Sequence, residues 1–92
     1  MEVYMKVQNF EHKNQFVIMD RGNIFFQSYK SLIAKIDRDK KVTLYHDWDV
    51  SKTTMRHLYM FLRKYSSIDT KYLYKQGIEK LIKNKVIKYI NK

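Results

Sequence analysis

The densest group of titratable side chains is the run His46-Asp47-Trp48-Asp49, which carries one imidazole and two carboxylates. With Asp20, these groups could hold a divalent metal ion that activates water for phosphodiester cleavage. The run lacks a recognised nuclease spacing, and His12 and His57 show no metal-ligand spacing with it. Its position just before Ser51 favours a strand-to-helix corner, where aspartates interact with the helix N-terminal dipole. We therefore predict surface or corner histidines and no metal site.

Other catalytic patterns are missing from the chain. Its serines have no nucleophile-elbow glycine pattern, and its two glycines, Gly22 and Gly77, cannot form a glycine-rich phosphate loop. The absence of cysteine excludes disulfides and thiolate metal sites. We predict a protein that is not an enzyme and needs no cofactor.

Positive charge is concentrated in the second half of the chain. Residues 51–92 hold eleven Lys or Arg against two acidic residues, a net charge of +9, whereas residues 1–50 hold eight against seven. Because a one-sided field attracts polyanions from a distance, this half is the expected contact surface for nucleic acid or a ribonucleoprotein. The net charge of +10 excludes an acidic mimic of DNA.

A basic ridge is predicted on the first of two helices. At about 100° per residue, Lys52, Arg56 and Arg63 lie within about 40° of one another. Lysines dominate the second helix, which favours diffuse attraction to phosphate over bidentate reading of bases. The candidate binding residues are Lys52, Arg56, Tyr59, Arg63, Lys64, Lys71, Tyr72, Lys75, Lys80 and Lys83.

Two further interpretations of these residues stay open. The lysines could form a solvated helical face that only confers solubility. The tyrosines could stack on bases or pack in a protein groove, or they could form the rim of the core. The rim is the expected place for Tyr74, which lies on the apolar side of the second helix.

The first half of the chain carries the sequence patterns of β-strands. Short β-branched or aromatic runs separated by polar turns predict an antiparallel meander within residues 1–50. The predicted strands are Phe16–Asp20, Ile24–Tyr29, Leu32–Asp37 and Val42–His46, with Val3–Val7 as a further candidate.

Helical periodicity begins after Trp48. Ser51 is placed as an N-cap of a helix over Lys52–Tyr65, and a second helix is predicted over Thr70–Asn84. Gly77 within that helix indicates close approach to another backbone. Val86–Ile90 is consistent with either a final strand or a continued helix. The fold class expected is α+β, a small antiparallel sheet of three to five strands packed against two C-terminal helices.

Length and composition favour one domain over residues 1–92, with a β-meander followed by the basic helical part from residue 51. The N-terminus does not resemble a signal peptide, and no apolar stretch approaches membrane length. We expect a cytoplasmic protein without membrane contact. The thirteen Tyr and Phe residues exceed what so small a core comfortably buries, which is consistent with a homodimer.

Two segments carry a family resemblance. Ser28–Ile36 reads SYxSxIAxI, and Trp48–Leu62 reads WDxSxTTxxHLxxFL. This pattern, within about residues 16–65, resembles small accessory proteins of Gram-positive (Firmicutes) phages and mobile elements. The resemblance implies a sheet-to-helix packing unit and a genetic setting in which some proteins counter host immunity, including CRISPR-Cas systems.

The resemblance and the charge together predict a phage-derived inhibitor of a host defence nucleoprotein, such as an anti-CRISPR protein that binds a CRISPR-Cas effector. The alternative is a plain DNA- or RNA-binding phage protein acting in regulation or replication. A third interpretation, a virion assembly protein, predicts self-association.

Overall fold

The computed structural model describes residues 5–10 and 12–91, which form one mixed sheet and two α-helices. The predicted α+β class is confirmed. The predicted strand Val3–Val7 begins outside the described residues. Lys92, at the end of the basic tail, also lies outside them. In chain order the elements are β1 (Met5–Phe10), β2 (His12–Asp20), β3 (Asn23–Ser28), β4 (Ser31–Ile36), β5 (Val42–Tyr45), α1 (Lys52–Tyr65), α2 (Lys75–Lys83) and β6 (Ile87–Ile90).

The six strands lie side by side in chain order. Strands β1 to β5 form the predicted antiparallel meander, because each short turn reverses the chain. The final strand differs from the expected architecture, since β6 joins the sheet parallel to β5. Both helices lie in the connection from β5 to β6, which gives the chain the long crossover that parallel pairing requires.

The core lies between one face of the sheet and the two helices. Phe26 in β3 and Phe61 in α1 are fully buried, and their rings stack with centroids 5.4 Å apart. A β-bulge in β4 places the consecutive residues Ile33 and Ala34 in the core together. From α2, Ile78 is also fully buried. This packing orients each helix with its polar side away from the sheet.

Local signals predict α1 well and α2 less well. Helix α1 spans the predicted residues, and Ser51 Oγ accepts a hydrogen bond from the Thr54 amide at 3.1 Å. The second helix begins at Lys75 instead of Thr70, because Asp69 caps a separate 3-10 turn over Thr70–Tyr72. Tyr74 is consequently the N-cap residue of α2 and is 53% exposed, so its predicted place at the core rim is wrong.

Gly77 packs against the turn that precedes α2, as its position in the helix predicted. In an open helix, alanine at this position would stabilise the fold by about 1 kcal/mol. A β-carbon at Gly77 would instead clash with the backbone carbonyl of Tyr72 and lie 2.8 Å from the Tyr74 ring. We expect Gly77→Ala to destabilise the protein by about 1–3 kcal/mol in urea titrations. Gln76→Ala, on the exposed side of α2, is the control, and a more stable Gly77→Ala protein would contradict this packing.

Candidate anion-binding surface

The basic ridge of α1, defined as Lys52, Arg56 and Arg63, is exposed along its whole length. The buried residues of α1, among them Leu58 and Phe61, lie on the opposite side of the helix. The ridge therefore points away from the sheet. Because these side chains project from a helix that is packed into the core, their spacing is set by a rigid element.

The cations of α2 are exposed but do not form a continuous ridge. Lys75, Lys80 and Lys83 share the outer side of the helix with Glu79, which lies four residues from both Lys75 and Lys83. Lys71, predicted on the same helix, lies on the separate 3-10 turn. The expected fan of lysines on one helix is therefore divided between two elements.

Two candidate lysines lie against aromatic rings. The ammonium of Lys64 is 5.4 Å from the centroid of the Tyr65 ring, and that of Lys71 is 5.3 Å from the Tyr72 ring. Both distances are within the range of cation–π attraction. Each lysine remains exposed, so its charge stays available to a partner.

In the described chain, the positive charges after residue 50 are not paired with carboxylates. Among residues 5–10 and 12–91, Arg21 forms an ion pair with Asp20 at 3.9 Å, and the His46 imidazole contacts Asp47 at 2.8 Å, both in the first half of the chain. Among the same residues, no lysine or arginine after residue 50 has a carboxylate oxygen within 4.0 Å. The positive field of the helices is thus directed at solvent and at any anionic partner.

Tyr59 lies in an acidic part of this surface. Burial raises the pKa of its hydroxyl above the ordinary 10.0, and the charges of Asp49 and Glu79 raise the pKa further. The structure thereby places this candidate residue beside two carboxylates, which disfavour contact with phosphate. The candidate surface is therefore not uniformly basic, since Asp49 and Glu79 make the part that contains Tyr59 negative.

Removing one of these charges tests this arrangement. We expect Glu79→Gln to lower the pKa of Tyr59, because a negative charge near its hydroxyl is removed. NMR titration of carbon-13-labelled tyrosine measures this pKa. Because the pKa is higher in the folded than in the unfolded protein, this tyrosine contributes stability that is fully present below pH 10.0 and lost as the pH rises through the raised pKa. Asp39→Asn, in the turn between β4 and β5, should leave the pKa unchanged. An equal effect of both variants would contradict the proximity of Glu79 to Tyr59.

Tyr72 is half-buried and forms part of a cavity wall. The cavity has a volume of about 240 Å³ and also includes Lys40 and Val86 in its lining. A neighbouring cavity of about 560 Å³ is lined partly by Lys41, Lys85 and Lys88. Sequence reasoning missed Lys40 and Lys41, because both come from the first half and reach this place only through the pairing of β5 with β6.

The acidic run at residues 46–49 forms a corner, as predicted. It is a 3-10 turn in which Trp48 is buried and Asp47 accepts a hydrogen bond from the Ser31 hydroxyl at 3.0 Å. In the part of the chain that the structure describes, no three His, Asp or Glu residues are grouped in a way that could hold a metal ion. His46 is exposed.

His57 differs from its expected surface position. It is only 7% exposed, because it falls on the same side of α1 as Thr54, Leu58 and Phe61. The side chain of His12 lies outside the described residues. A helix-period assignment of His57 to the buried stripe could have found this position in advance.

Within the described range, neither helix has the length and apolar character needed to cross a membrane. No curated protein and no solved structure matches the chain. Residues 2–80 match the model of DUF8033, a family of unknown function. Because this match spans most of the 92 residues, the chain belongs to the DUF8033 family.

Proposed function

We propose that this protein is a non-enzymatic binding protein that inhibits a host defence nucleoprotein, with a CRISPR-Cas effector as the first target class to test. In this proposal the ridge of α1 and the lysines around α2 occupy an anionic surface of the target, in the host cytoplasm. The main supporting observation is that, among the described residues, no lysine or arginine after residue 50 has a carboxylate oxygen within 4.0 Å. The resemblance of Ser28–Ile36 and Trp48–Leu62 to phage accessory proteins supports the host-defence context.

Occupation of a surface suits the chemistry of these side chains. Ammonium groups on flexible stems attract phosphates or carboxylates without demanding one geometry, whereas arginine adds bidentate contacts at Arg56 and Arg63. Because α1 is anchored by buried residues such as Phe61, the ridge can bind without a large rearrangement of the protein.

A plain nucleic-acid-binding function is the second candidate. It is favoured by the pairs Lys64–Tyr65 and Lys71–Tyr72, in which a cation lies beside an aromatic ring. Such pairs combine phosphate attraction with a surface on which bases can stack. This function would serve phage regulation or replication.

A pull-down from host lysate, with and without nuclease, separates the two candidates. We expect mass spectrometry to identify a defence effector that stays bound after nuclease treatment, because the inhibitor contacts protein directly. Loss of every partner after nuclease, with DNA or RNA recovered beforehand, would overturn the inhibitor proposal and favour plain nucleic-acid binding.

Salt dependence gives an independent measurement. Six phosphate contacts on duplex DNA would make the slope of log affinity against log salt about −5. We expect a shallower slope for the purified effector, because a protein partner supplies mixed contacts. A slope as steep as that for DNA would count against a mainly protein interface. Sedimentation of the protein alone at high concentration tests the homodimer and the assembly interpretation.

A further inference from the structure

Strand β6 is an edge of the sheet. It is the last strand in the order and pairs with β5 on one side, from Ile87 opposite Val42 to Ile90 opposite Tyr45. In the described chain no strand pairs with its outer side, so backbone donors and acceptors there are available to another chain. The opposite edge, β1, differs because a bulge interrupts its register between Asn9 and Phe10.

A groove lined by apolar residues and lysines lies beside this free edge. The cavity of about 560 Å³ lies against β6 and the end of α2, with Ile82, Val86 and Tyr89 in its wall. Val86 is 58% exposed and Tyr89 41% exposed, so both side chains present apolar surface to a partner. A strand added to β6 would place one set of alternate side chains beside Tyr89, because side chains of a strand alternate between the two faces of the sheet. Val86 precedes β6 and would meet the end of the added segment.

The two ends of the groove carry opposite charge. Lys41, Lys85 and Lys88 line it near the N-terminal ends of β5 and β6. Ile82 and Tyr89 continue into a smaller cavity that contains Asp49 and Glu79. Since Asp49 follows the C-terminal end of β5, the acidic end lies about one strand length from the lysines.

This charge pattern favours a partner other than a second copy. Antiparallel pairing of two β6 edges centred on Lys88 would set one Lys88 ammonium directly opposite the other, where like charges repel. An extended segment with carboxylates near the lysines would neutralise them instead. A cation at its other end would face Asp49 and Glu79.

We propose that β6 is a strand-addition site for an extended segment of a partner protein, with acidic residues at the N-terminal end of β6 and apolar residues over Val86 and Tyr89. The site lies apart from the α1 ridge and stands independently of the proposed inhibition. Main-chain hydrogen bonds would supply affinity, and the charged ends would supply direction and specificity.

Selection from a display library of random twelve-residue peptides tests the proposal. We expect selected peptides to share β-branched or aromatic residues at alternate positions and acidic residues at one end. Titration of a selected peptide should shift the backbone amide NMR signals of residues 86–90. A selection that returns no binder, or binders that shift only helix α1, would overturn the proposal.

Matched variants identify the surface that binds the peptide. The pair Lys41→Glu and Lys88→Glu should weaken binding of the selected peptide at least tenfold, because both lysines line the groove and are exposed. The equal charge change Lys52→Glu and Arg56→Glu on α1 should leave peptide binding within about twofold. N-methylation of every second peptide amide can be done in two ways, on one or on the other set of alternate amides. Only the peptide whose methylated amides face β6 should lose binding, because main-chain pairing uses the amides on that side. Equal loss with both peptides would contradict strand addition.

These variants also separate the two proposals. Loss of inhibition in the α1 pair with intact peptide binding would leave the β6 site standing. Intact inhibition in the α1 pair, together with loss of peptide binding in the β6 pair, would overturn the ridge of α1 as the inhibitory surface and leave the β6 site standing. If the β6 pair binds peptide normally, the strand-addition site is wrong whatever the inhibition assay shows.

Discussion

Replacing Arg56 and Arg63 by glutamate should abolish inhibition of the target complex while leaving the fold intact. Both side chains are exposed on the ridge of α1, and neither has a carboxylate oxygen within 4.0 Å in the part of the chain that the structure describes. Each reversal exchanges an attraction of up to about 1 kcal/mol for a similar repulsion. Two reversals therefore predict a loss on the order of 100-fold or more in affinity.

The experiment compares affinity and inhibition with thermal stability. Exposed substitutions of this kind usually change the free energy of unfolding by no more than about 0.5 kcal/mol. Lys13→Glu with Lys30→Glu is a matched control, since it makes the same change in net charge at exposed positions of the first half. Retained inhibition with a normal melting curve would show that the ridge of α1 is not the binding surface. An equal loss in the control would indicate that net charge, and not the ridge, governs binding.

Truncating Phe61 to alanine should cause the largest loss of stability among the substitutions considered, about 3–5 kcal/mol. The side chain is fully buried and joins three other rings. Its centroid lies 5.4 Å from that of Phe26, 5.3 Å from that of Tyr65 and 6.2 Å from that of Phe10. The substitution would leave a cavity between α1 and β3. The surrounding rings are held by their own helix and strands, so they could fill this cavity only in part.

Urea unfolding followed by tryptophan fluorescence of the buried Trp48 measures this loss. A domain of this size has a total stability of roughly 5–15 kcal/mol, so the substitution could remove much of it. Val50→Ala is the control, because Val50 is 67% exposed and should change stability by less than about 0.5 kcal/mol. A loss below about 1 kcal/mol for Phe61→Ala would contradict the central position of this ring.

Local signals predicted those parts of the fold that depend on neighbouring residues. Alternation of apolar and polar residues predicted the β-meander, and Ser51 followed by a helical period predicted the start of α1. Gly77 predicted a close backbone contact, because glycine weakens a helix and its use there indicates a place where a β-carbon does not fit. In each case the cause lies within a few residues along the chain.

Two parts of the prediction differ from the structure, the start of α2 and the position of His57. The helix predicted from Thr70 directly follows Asp69, a good N-cap residue, yet Asp69 caps a 3-10 turn and α2 begins only at Lys75. The new start makes Tyr74 a cap residue and places Lys71 apart from the lysines of α2. The absence of metal-ligand spacing predicted a surface or corner position for His57, although its place on α1 directs it toward the buried side.

The sequence by itself determined the α+β class, the concentration of positive charge after residue 50 and the ridge of α1, because composition and helical period act locally. Only the tertiary structure decided that β6 pairs parallel to β5 and that Lys41 meets Lys88 at one groove. Residues 41 and 88 are far apart in the chain, and no local pattern encodes their pairing. The packing of both helices onto one face of the sheet brings them together.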